Sequence, residues 1–209
     1  MMMAQSIAEP RQRLIEAAVA VFGECGFRGA TTRRIAEAAG VNEVTLFRLF
    51  GSKSALLEEA VRQSQASTAL RADRALPEQP GDPTAELEAW AREHWRQMRD
   101  RRSIIRKLMS ELEEHPQISA CMTEGWDRAR ANVVQYLERL RDRGDIAADA
   151  PIGTAVTVFT SALFADAMGR DIKRGAYPPE RHAITEYTQL ILRSLGYVRS
   201  ASETNGAHR

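Results

Sequence analysis

The chain has 209 residues, 44% hydrophobic and 27% charged, with 29 Lys and Arg against 28 Asp and Glu for a net charge of +1. This is an ordinary globular composition, long enough for one compact domain or two small ones, and no overall basic excess announces a nucleic-acid partner. Cys25 and Cys121 stand alone without paired spacing, so a reducing compartment is expected rather than a disulfide framework. No run approaches ~18 uninterrupted apolar residues, so no membrane span is expected. The start, MMMAQSIAEP, lacks a basic region followed by an apolar stretch, so neither is a secretory signal. The expected location is the cytoplasm, with no membrane partner.

Residues 1–9 and 199–209 are polar or small and are expected as flexible tails. The first helix should start near Pro10, carry its apolar stripe on Leu14, Ile15, Ala18, Val21 and Phe22, and end at Gly26. Two short helices then flank the turn Ala39-Gly40-Val41-Asn42. Ile35, Ala36 and Ala39 share one face before the turn; Val44, Phe47 and Phe50 share one after it. Phe47 and Phe50 read as core in that pattern. Asn42 is placed to cap the third helix and Ser52 the fourth, which runs through Leu56, Leu57, Ala60 and Val61 toward residue 70. Gly40 supplies the turn position that tolerates positive φ.

Leu76 to Pro83, with three prolines and a glycine, reads as a linker. Helix-period segments follow at 84–100, 102–114, 117–143, 151–174 and 180–196, broken at His115-Pro116, at Arg143-Gly144-Asp145 and between Gly175 and Pro179. The β-branched run Val156 to Phe159 could favour a strand, but its alanine-rich apolar surroundings predict helix. The fold class expected is all-α, with an N-terminal three-helix helix-turn-helix domain over 10–54 and a C-terminal helical bundle over 55–198.

Helix, tight turn and helix with a free second element is how a major-groove reader looks in sequence, so DNA binding is the leading reading. Between Arg28 and Lys53 five bases stand against two acids. Such a modest patch suits a dimer that doubles it. Thr31, Thr32, Arg33 and Arg34 open the second helix and Lys53 the fourth. Cations there oppose the helix dipole unless a phosphate faces them. Asn42, Glu43, Thr45, Phe47 and Arg48 lie on or beside the recognition helix. Arg48 could grip a guanine edge or phosphate, Thr45 a thymine methyl or phosphate, and Glu43 a cytosine amino group.

In the C-terminal half, Trp90, Trp95, Met98, Met109, Met122, Trp126, Phe159, Phe164 and Met168 are bulky apolar groups spread over several helices. They could line a pocket for a small apolar or aromatic ligand, or form an ordinary core. His94 could orient such a ligand, although surface exposure is the commoner reading. On the last two helices Phe159, Leu163, Ile184, Tyr187, Ile191 and Leu195 are placed for a four-helix homodimer interface.

No His-Glu-x-x-His, Gly-Lys-Ser/Thr loop or Cys-x-x-Cys occurs. Glu111 and His115, four apart with Cys121 nearby, could ligate a metal, but a solvated ion pair or cap is the commoner reading. No catalytic residue, metal or cofactor is expected, and the chain reads as a non-enzyme. The alternative to a regulator is a helical protein-interaction scaffold without sequence-specific DNA binding.

Residues 11–61 resemble the DNA-binding domain of the TetR family of transcriptional regulators. The resemblance is carried by Phe22 to Phe27, by Thr31-Thr32, by Ile35-Ala36 with Ala39-Gly40-Val41, and by Phe50 to Lys53. It departs at Phe47, where a Tyr is usual, at Glu43-Val44, where a pair such as Lys-Gly is common, and at Leu49, where a His is common. The resemblance implies a homodimeric repressor that binds a near-palindromic operator in double-stranded DNA and is released by a small-molecule effector.

Overall fold

The computed structural model describes residues 2–72, 76–110, 112–113 and 116–198, with the backbone alone over 2–8, 64–72 and 116–124. Among the described residues there are nine helices and no strand: α1 (Met2–Gly29), α2 (Thr32–Ala39), α3 (Glu43–Phe50), α4 (Lys53–Ala72), α5 (Pro83–Asp100), α6 (Arg102–Ser110), α7 (Pro116–Asp142), α8 (Ile152–Gly169) and α9 (Glu180–Ser194). The fold is all-α as expected, and Val156 to Phe159 lie inside α8. Glu111, His115 and the tail 199–209 lie outside the described residues, as do the side chains of Cys121 and Met122.

Several helix ends differ from the pattern read in sequence. α1 starts at Met2, ahead of Pro10, which sits inside it. The segment MMAQSIAE holds good helix formers, which carry the helix across Pro10 although the proline donates no backbone hydrogen bond. The helix then breaks at Gly26 (φ 70°, ψ −175°) and adds one more turn to Gly29. α6 stops at Ser110 rather than 114. α8 stops at Gly169 rather than 174, where a Cβ would collide with the Tyr177 phenol oxygen; the returning chain occupies that space.

The chain forms two compact units, Met1–Asp73 with Arg101–Trp126, and Arg74–Asp100 with Asp127–Arg209. In the first, α1 packs against α2, α3, α4 and α6. Its core holds Leu14, Ile15, Ala18, Val21 and Phe22 of α1, Ile35 of α2, Leu46 of α3, Leu56 and Leu57 of α4, and Leu108 of α6. The Lys107 ammonium of α6 also donates to the Gly23 carbonyl of α1.

In the second unit α5, α8 and α9 pack on one another. Leu87, Trp90, Ala91, Val156, Phe159, Leu163, Ile184, Ile191 and Leu192 are buried there, with Val133, Tyr136, Leu137 and Leu140 from the later part of α7. The proline-rich segment before α5 is strapped down. Asn132 accepts from the Leu76 amide (3.2 Å), and the Arg139 and Arg143 guanidiniums donate to the Pro77 and Pro80 carbonyls. Asp82 accepts from the Ala85 amide (3.0 Å) and so caps α5 ahead of Pro83. By length and composition α8 is apolar enough to cross a bilayer, with a mean hydropathy of 1.3. It packs instead against α5 and α9 in this unit and carries a fully buried Asp166.

Candidate functional site

The helix-turn-helix is built from local capping. Thr31 holds an extended backbone (φ −72°, ψ 150°) and its hydroxyl accepts from the Arg34 amide, starting α2. Gly40 ends it in the left-handed region (φ 64°), where its amide bonds the Glu37 carbonyl (3.1 Å) and the Val41 amide bonds the Ala36 carbonyl (3.0 Å). These two bonds are a Schellman closure. Asn42 then starts α3, its side-chain oxygen accepting from the Val44 amide at 2.9 Å. Ser52 does the same for α4 through the Ala55 amide at 3.1 Å. The left-handed Gly40 and the Asn42 cap thus form the turn between α2 and α3.

Burial divides α3 into two stripes. Leu46 is fully buried, and Leu49 and Phe50 pack partly against the core. Opposite them Val44 is 71% exposed, Phe47 is 47% exposed, and Arg48 is exposed with no ion pair or hydrogen bond among the described residues. The grouping of Val44, Phe47 and Phe50 as one buried face, with Phe47 in the core, is therefore corrected. Both stripes fit a helical period, and the one containing Leu46 faces the rest of the unit. In the sequence the signal for the outward stripe is a cation, Arg48, one residue from Phe47.

Around α3 the polar groups are partly engaged. The Thr32 hydroxyl donates to Glu43 at 2.5 Å. Arg33 pairs with Glu37 at 2.9 Å and Arg34 with Glu24 at 3.9 Å, all four side chains being well exposed. Exposed pairs of this kind contribute at most about 1 kcal/mol, so either guanidinium can turn to a phosphate. Lys53 donates to the Phe27 carbonyl at 2.8 Å and lies 3.9 Å from the centre of the Phe27 ring. Thr45 is half-buried and Asn42 exposed.

In the second unit Trp90 and His94 stack with ring centres 4.9 Å apart and planes 14° off parallel; Phe159 lies 6.4 Å from Trp90. His94 is half-buried rather than exposed, with its Nε2 enclosed, which corrects the expectation of a surface position. Leu87, Trp90, Ala91, Trp95 and Met98 form the buried stripe of α5, and His94 falls on it at helical spacing. Its Nε2 is buried without a hydrogen-bond partner among the described residues. Burial lowers its pKa to about 4, so the imidazole is neutral at pH 7.

Beside this cluster, Asp166 accepts hydrogen bonds from the Trp95 indole (3.1 Å), the Tyr187 hydroxyl (2.8 Å) and the Arg170 guanidinium (2.6 Å). Sequence reasoning missed Asp166; the available signal was a lone acid in an otherwise apolar helix.

Two family profiles match the chain. That of the tetR family of bacterial regulatory proteins covers residues 14–60, and that of the tetracyclin repressor-like C-terminal domain covers residues 76–180, half of the chain. The chain belongs to the TetR family. It is a helix-turn-helix transcriptional regulator, and the reading as a scaffold without DNA binding falls away. Among relatives, the Escherichia coli K12 regulator UidR is 26% identical over 180 residues, spanning 82% of this chain and 89% of UidR. The transcriptional repressor AcnR of Corynebacterium efficiens is 29% identical over 143 residues, 68% of this chain and 71% of AcnR. A transcriptional regulator from Rhodococcus sp. Rha1 has the same fold, with a TM-score of 0.72 at 20% identity over 90% of this chain and 99% of that one.

Within this TetR-family chain the sequence-selected residues fall into separate groups. Thr31 to Arg34, Asn42 to Arg48 and Lys53 lie together around α2, α3 and the start of α4. Trp90, Trp95, Met98, Phe159 and Met168 are buried in the second unit, with Phe164 half-buried. Met109 is exposed at 44%, and Trp126 is half-buried; both belong to the first unit. Phe159, Leu163, Ile184, Ile191 and Leu195 are buried within the protomer itself, and Tyr187 is half-buried. The large apolar side chains that α8 and α9 leave exposed are Val158 and Leu190.

Proposed function

We propose that this TetR-family regulator is a repressor that, as a homodimer in the cytoplasm, occupies a near-palindromic operator and leaves it when a small apolar or aromatic effector binds. The observation that carries the reading is the outward stripe of α3, where Arg48, unpaired among the described residues, stands next to exposed Val44 and Phe47. A capped helix presenting such a stripe is shaped for a major groove. Arg48 takes a base edge or phosphate, and Thr45 borders the same face. Thr31, Asn42 and the cations Arg33, Arg34 and Lys53 approach the backbone phosphates.

Residues 10–54 serve as the DNA-reading head and 55–198 as the sensing and pairing part. Trp90, His94 and Phe159 supply aromatic faces and one unsatisfied nitrogen for an effector. The outer faces of α8 and α9, with Val158 and Leu190, supply the two-fold contact. Recognition helices of a dimer must sit one helical turn apart, about 34 Å. An effector that prefers a different dimer geometry therefore releases the DNA by its differential affinity alone.

The test is a gel shift of full-length protein on the promoter region beside its own gene across a salt series. A specific shift that weakens steeply with salt supports the reading; an absent or salt-independent one overturns it. Tryptophan fluorescence during a small-molecule screen tests the effector cluster.

A further inference from the structure

We propose that the outward stripe of α3 reads thymine: Val44 and Phe47 seat against thymine 5-methyl groups in the major groove of each operator half-site. This rests on the DNA-binding reading above. The two side chains are one helical turn apart and exposed, while Leu46 between them is fully buried. Neither carries a polar atom beyond the backbone. Against a phosphate oxygen, or against the hydrogen-bonding edge of guanine, adenine or cytosine, each would strip water from a polar group and return no bond. The thymine methyl is the apolar group that a base pair displays in the major groove.

The spacing fits. Three residues advance a helix by about 4.5 Å, and successive base pairs lie about 3.4 Å apart. The pair thus meets methyls on the same or adjoining steps. Arg48, next to Phe47 on the same stripe and free of any acid among the described residues, then takes a guanine edge or phosphate beside them. Arg33 and Arg34 on α2 supply charge of the sign that a duplex backbone requires.

The experiment selects an operator from random duplexes with the full-length protein, then replaces each thymine in turn by deoxyuridine, which removes only the methyl. At one or two thymines per half-site the replacement should weaken binding roughly fourfold, the worth of one buried methyl. The same replacement should have no effect on the Val44→Ala/Phe47→Ala double variant. Both residues are exposed, and an unchanged thermal transition verifies the fold. If the double variant does not fold, Val44→Ser, which removes both side-chain methyls at an exposed position, takes its place and should lose the effect at its own thymine.

Deoxyuridine tolerated at every position of a tightly bound operator overturns the methyl readout and leaves DNA binding standing. Sensitivity undiminished in the variant overturns it as well. Recovery of no operator at all overturns the DNA-binding reading and this proposal with it.

Discussion

The Thr32 hydroxyl donates to the Glu43 carboxylate at 2.5 Å, tying the first residue of α2 to the first residue of α3 across the turn. The bond keeps an acid anchored at the start of the recognition helix, where the positive helix end also favours it. Thr32→Val, which keeps the shape and removes the donor, should cost about 1.5 kcal/mol of stability, the low end for a bond to a charged group. It should also weaken binding to all DNA alike, because the released carboxylate faces phosphates. Urea denaturation and filter binding on specific and random duplexes measure the two effects.

Gly40→Ala should destabilise the first unit by about 1–2 kcal/mol, because an L-residue must be forced into the left-handed region at φ 64°. Gly153→Ala provides the opposite sign. That position lies in the first turns of α8 with open space around it, so the alanine should stabilise by up to about 0.5–1 kcal/mol. Thermal melts of the two variants beside the parent decide the matter; equal shifts would contradict the assigned conformations.

His94 has a folded pKa of about 4, lowered from 6.5 by burial. The unfolded chain therefore takes up this proton first as pH falls. The stabilisation is fully present above about 6.5 and is lost progressively down to about 4, amounting to roughly 3 kcal/mol in all. His94→Phe should flatten stability against pH over that window. Denaturation at pH 7.0, 5.5 and 4.5, as about three points across the window, tests it; an unchanged slope would place the imidazole in water.

Asp166 joins α5, α8 and α9 through Trp95, Arg170 and Tyr187. Asp166→Asn removes the charge that Arg170 faces, and a broken buried pair costs about 3–5 kcal/mol. Arg170 retains some access to solvent, so a loss near the lower end is expected. The Trp95 indole loses its carboxylate acceptor, and tryptophan emission should shift with it. Tyr187, whose phenol is pushed well above its ordinary pKa by burial and by Asp166, should titrate at lower pH in the variant.

Much of the helix-turn-helix was legible in the order of residues because its parts are local. Asn42 caps α3 through an amide two residues on, and Ser52 caps α4 through one three residues on. Gly40 closes α2 through bonds within its own last turn. Where a helix end depends on a distant group the pattern misled. At Gly169, the last residue of α8, a Cβ would collide with the Tyr177 phenol, and the residues beside Gly169 in sequence give no hint of that.

Residue order by itself determined the helices, their caps and the family, since each depends on contacts within a few positions or on a motif of fixed spacing. Tertiary structure decided which stripe of α3 is buried, because Val44-Phe47 and Leu46-Leu49-Phe50 satisfy the same period and only the surrounding helices choose between them. It also decided that His94 is enclosed and that Asp166 is held from Trp95, 71 positions earlier in the chain. Burial and long-range pairing belong to the packed neighbours of a residue, and those neighbours are assembled only when the helices meet.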